Sequence, residues 1–151
     1  MIDRLLNRLE NLFDDGLSNR EASRDDQIPL ATAALLLEVA RSDTTIDADE
    51  LARIESLLTS VFPLQADAIQ DLVTTARTEV EHATDLFQFT QIVNDRLSYK
   101  EKMLLVRQMW EVAYADGNIA SYEDHIIRRV AGLLHVSHED FIRAKIEARP
   151  A

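Results

Sequence analysis

Three glycines and three prolines in 151 residues leave this chain few places to turn. An all-β chain needs a turn about every ten residues, and Gly and Pro are the residues that make most of them. Between the few breakers lie long runs rich in Leu, Ala, Glu and Arg, which enter a helix at little cost. The expected fold is therefore all-α, a single compact bundle of about 7–8 helices. A length of 151 residues, 46% of them apolar, suits one domain with a core of useful size.

Helical spacing of Ile2, Leu5, Leu6, Leu9, Leu12 and Phe13 predicts an amphipathic helix over 3–14. Residues 14–27 are polar and contain Gly16, so 1–27 read as a helix with a linker, ahead of a helical domain over 28–151. Within that domain the first helix starts near Pro29 and runs to about Arg41. Others are expected over Ala48–Val61 with Asp47 as N-cap, Ala66–Glu81 and Asp85–Asp95. A capping box, Ser98 with Glu101, opens a helix to Ala115, and a weaker box, Ser121 with Asp124, opens one to Leu134. The last begins at Ser137, with Asp140 three places on.

An internal repeat carries the most information. Residues 38–54, EVARSDTTIDADELARI, align without a gap on 111–127, EVAYADGNIASYEDHII, at a constant offset of 111 − 38 = 73. Each copy reads as helix, tight acidic turn, helix. Two such pseudo-repeated hairpins, packed as one bundle, would carry both acidic turns on one face.

The turn pattern D-G-x-I-x-x-x-E has two readings. In the first it is hairpin chemistry: Gly117 takes the left-handed position that ends a helix, Ile119 folds back, and acids favour the next helix start. In the second it is the latter half of a calcium loop, with Asp116 at the fifth ligand position and Glu123 at the closing one. Asp43 and Glu50 fall at the same places in the first copy, with Asp47 as a further oxygen donor. A complete calcium loop is excluded, because Val39, Arg41, Val112 and Tyr114 occupy the first and third positions. What remains is carboxylates at one helix end and the next helix start. Such a set suits calcium, magnesium or manganese, with zinc entering only where His125 comes near. Glu38 and Glu111 repeat on the helices leading into the turns and join the candidate ligands. Thr44 stands where the second copy has Gly117, and a threonine disfavours positive φ.

The stretches LLLEVARSDTTIDADE and RQMWEVAYADGNIASYED resemble the two halves of TerB-like proteins, the tellurite resistance B superfamily. The signature W-x-V-A-x-A-D-G-x-I-x-x-x-E runs here from Trp110 to Glu123, and the resemblance covers about residues 28–147. It implies an all-helical fold of two similar halves with an acidic face that binds metal. It also implies a part in stress or tellurite tolerance and in phage or colicin defence, with protein partners at the inner membrane surface. Carried over by position, the metal ligands would be Glu38, Asp43 and Glu50, then Glu111, Asp116 and Glu123. A cytoplasmic location, peripheral to the inner membrane, goes with it.

Composition bounds the alternatives. A net charge of −11 turns away nucleic acid and favours a cation or a basic protein surface. With no cysteine there is no disulfide, thiolate zinc site or cysteine nucleophile. The start of the chain mixes acids into its apolar residues, unlike a signal peptide. The longest apolar stretch, Leu30–Leu37, falls far short of the about 20 residues of a membrane span. No nucleophile–base arrangement, phosphate-binding glycine loop or H-E-x-x-H motif is present, so no catalytic or cofactor-binding residues are assigned and the chain is read as no enzyme. Three functions stand: a cation-binding scaffold, a metal-free acidic docking module and a metal-dependent hydrolase. Trp110 is expected in the core with its indole N–H reaching a partner, and His82, His125, His135 and His138 at surface or cap positions. The N-terminal stripe packs on the bundle or on a second copy, or lies on a membrane.

Overall fold

The computed structural model describes residues 20–41, 46, 48–115, 119 and 121–150, with the backbone alone for 20–26. All seven elements among them are helices: α1 (Arg20–Ala40), α2 (Ala48–Val61), α3 (Ala66–His82), α4 (Phe87–Arg96), α5 (Tyr99–Ala113), α6 (Ser121–Leu133) and α7 (His138–Ala148). The helix expected over 3–14 lies outside the described residues, as do the turns that hold Asp43, Thr44, Asp47, Asp116 and Gly117.

Local chemistry accounts for most boundaries. Ser98 and Glu101 form the expected capping box: the Ser98 hydroxyl accepts from the Glu101 N–H at 3.2 Å, and the Glu101 carboxylate accepts from the Ser98 N–H at 2.9 Å. Ser137 caps α7 through the Asp140 N–H at 3.2 Å. Three boundaries depart from the sequence reading. Helix α1 begins at Arg20 and carries Pro29 inside it, so part of the stretch expected as linker is helix. Helix α4 begins at Phe87, because the Asp85 carboxylate accepts the Phe87 N–H at 2.9 Å and closes a turn where a helix was expected. Ser121 is the first residue of α6 and not its cap, so Glu123, rather than Asp124, holds the third helical position.

Helix α1 is the centre of the molecule. From Ala31 to Ala40 nearly every side chain is buried, and the helix packs against α2, α3, α4, α5 and α6. Helix α5 packs in turn on α1, α2, α6 and α7. One continuous core runs through all seven, with Leu35, Leu36, Ile54, Met109, Trp110 and Ile127 among its largest fully buried members. Trp110 stacks against Phe141 at 5.3 Å between ring centroids, and the Lys145 ammonium lies 4.9 Å from the indole centre. Among the described residues the indole N–H has no acceptor, contrary to the partner expected for it. No helix among the described residues is long and apolar enough to cross a membrane.

Candidate functional site

The matched positions of the repeat take up matched environments. Val39 and Val112 are fully buried at the ends of α1 and α5, as are Ile54 and Ile127 in the helices after the turns. Ile46 and Ile119, the isoleucines of the two turns, both pack against the core. An isoleucine that packs back on the core is what the hairpin reading asks for.

The acidic residues separate into two groups. Glu50 in α2 and Glu123 in α6 each hold the third position of a helix and are 5% and 2% exposed. A carboxylate at that position lies where backbone N–H groups and the helix dipole favour negative charge. Both carboxylates therefore sit at the start of the helix that follows an acidic turn.

Glu38 and Glu111 lie one helix earlier and face cations. Glu38 Oε2 is 3.9 Å from the Arg41 guanidinium. Burial pushes the Glu38 carboxyl above its ordinary value, and the charges of Arg41 and Arg129 pull it part of the way back. Glu111 Oε1 is 3.4 Å from Arg107 Nε, and Arg107 also reaches Glu147 at 3.8 Å. Asp124, next to Glu123, is held by Lys145 at 3.1 Å and Arg128 at 3.4 Å. His125 is exposed.

Seven residues were candidate ligands on sequence. Four are described, and they do not form a cluster of three donors; no group of three or more His, Asp or Glu among the described residues is placed to hold a metal ion. Asp43, Asp47 and Asp116, the donors of the turns themselves, lie outside the described residues. What sequence reasoning left out is the set of cations around the acids: Arg41, Arg107, Arg129 and Lys145. Two of these were legible, since Arg41 and Arg107 stand three and four residues from their glutamates on one helix face. Arg129 and Lys145 come from other helices, and no local spacing announces them.

Comparison with known proteins gives one positive result. Residues 29–146, most of the chain, match the model of a family described as tellurite resistance protein TerB. No curated protein and no solved structure matches the chain.

Proposed function

Because the chain belongs to the TerB family, whose model spans residues 29–146, we propose that it is a non-catalytic module that binds a divalent cation through paired acidic turns. In this reading it scaffolds protein partners in stress and tellurite tolerance, and its net charge of −11 suits a partner with a basic surface at the inner face of the membrane. The observation that carries the reading is the pair Glu50 and Glu123, two carboxylates withdrawn from water at equivalent places after equivalent turns. A buried carboxylate is costly unless positive charge or donors meet it. Both carboxylates have partners within the fold, and in this reading a hard cation shared with Asp43 and Asp47, or with Asp116, joins them. Oxygen donors of this kind select calcium, magnesium or manganese over softer ions.

The repeat supports the pairing. Helix α1 packs on α3 as α5 packs on α7, and α2 packs on α5 as α6 packs on α1. We read these matches as two three-helix units related by a pseudo-twofold, although α2 also packs on α3 where α6 has no like contact with α7; such units would bring both turns to corresponding places.

A metal-free docking module is the second reading. The arginines beside Glu38 and Glu111 favour it, because they neutralise two of the proposed donors. Thermal melts of metal-stripped protein with calcium, magnesium, manganese or zinc, reversed by EDTA, decide between the two. A ligand that binds only the folded state raises the melting temperature with its occupancy. The expected result is a saturable rise with one hard ion that Asp116→Asn with Glu123→Gln abolishes while the protein still folds. No rise with any ion, or an equal rise in the double variant, leaves the docking module standing.

A further inference from the structure

A second site of different chemistry lies between the end of α1, the α3–α4 connection and the exposed face of α6. A cavity of about 290 Å³ opens there, lined mostly by polar atoms. Glu38 enters it from α1 and Arg41 from just past its end, Tyr122 and Arg129 from α6, and Asp85 from the connection. We propose that this cavity binds a small zwitterion of amino-acid size, its carboxylate held by Arg41 and Arg129 and its ammonium by Glu38 and Asp85.

The Arg41 guanidinium is fixed in place. Its Nη1 donates to the carbonyl of Val80, in the last turn of α3, at 3.2 Å, and lies 3.9 Å from Glu38. A guanidinium has five N–H donors in a planar fork, so two partners at one nitrogen leave a face for a carboxylate. Arg129 makes no ion pair among the described residues, although its charge acts on both Glu38 and Tyr122. One Asp85 oxygen is committed to the Phe87 N–H, which orients the carboxylate and leaves the other oxygen for a ligand.

The balance of charge sets the ligand class. Among the described residues two guanidinium groups and two carboxylates share a small space, so an ion of either sign meets as much repulsion as attraction. A molecule with both signs a few bonds apart meets attraction at each end. Charge-assisted bonds in a partly desolvated cleft are the strong ones. The volume stands at the small end of ligand cavities, which limits the occupant to a compact molecule. The guanidinium pair argues against a metal ion between these groups, and Glu38, a candidate metal donor on sequence, is assigned to the ammonium instead.

The test uses the full chain in EDTA-containing buffer, which keeps it independent of any cation. L-alanine and L-glutamine are titrated against propionate and propylammonium, following the Tyr122 ring by NMR and the heat by calorimetry. The expected result is saturable binding of the two zwitterions, with neither single-charge compound shifting Tyr122. Arg129→Gln, an exposed substitution that leaves the core untouched, should weaken binding at least tenfold, and Glu38→Gln should weaken it as well. Either zwitterion failing to shift Tyr122, propionate binding as well as L-alanine, or Arg129→Gln binding like the unaltered chain would overturn the proposal.

Discussion

Tyr99 joins the starts of two helices through one hydroxyl. It accepts the Ser137 N–H at 3.1 Å and donates to Asp140 at 2.6 Å, so the first residue of α5 fastens the cap of α7. That hydrogen bond, with a second from Ser137, holds the Asp140 carboxyl below its ordinary value of 3.8, and the Arg143 charge acts in the same direction. A carboxyl lowered by folding stabilises the fold fully above its ordinary value, and the contribution fades as pH falls through the lower folded value. Tyr99→Phe should therefore melt below the unaltered chain at neutral pH, and the gap should narrow as acid protonates Asp140. Melts across the acid range check this; a gap of constant size would mean that the hydroxyl acts through the Ser137 N–H and not through Asp140. The Ser137–Asp140 cap was legible from a spacing of three, but Tyr99 stands 41 residues from Asp140 and nothing local announces the bond. The same limit hid Arg129 from Glu38. It also applies to Trp110, whose burial followed from its place on an apolar face while the surroundings of its indole N–H depended on neighbours that no pattern specifies.

Among the elements, the end of α6 is the most informative. The Val136 N–H bonds to Ala131 O at 3.0 Å and the His135 N–H to Gly132 O at 3.1 Å, the paired bonds of a Schellman motif. Its left-handed position is filled by His135, at φ 61°, where glycine is the usual occupant. A left-handed L-residue costs about 1–2 kcal/mol, and glycine gives part of that back through greater freedom when unfolded. His135→Gly should stabilise the protein by about 0.5–1 kcal/mol, seen as a higher denaturant midpoint at unchanged m; a lower midpoint would show that the imidazole itself contributes. With no glycine to mark it, this end was legible only through the loss of apolar periodicity after Leu134. Helix α1 was misjudged for the opposite reason. Pro29 is a familiar helix opener, but here the helix continues through it, and the acidic and basic residues of 20–26 carry no apolar stripe from which a helix could be read.

Across the whole molecule, the all-α class followed from the scarcity of turn residues, and the buried repeat positions from their spacing. The shared core did not, because contacts such as those of α2 with α5 join segments far apart in sequence. One core also means one cooperative unit. Leu36 in α1 and Trp110 in α5 belong to the same buried cluster. Leu36→Ala should cost about 2–5 kcal/mol and shift the far-ultraviolet and tryptophan fluorescence transitions together. A fluorescence transition left behind at its original midpoint would show that the half around Trp110 unfolds by itself. The acids stand apart from this: the carboxylates were legible as a pattern, whereas the cations beside Glu38 and Asp124 come partly from distant helices.

Lys145 gives the docking of α7 a chemical signature. The chain has three lysines, and this one places its amine over the only indole while holding Asp124. Acylating that amine removes the charge on which both contacts depend, so acylation and the closed position of α7 compete. The reactivity of a single side chain thus becomes a gauge of how often the last helix lifts away, read as the slow member among the protein's lysines.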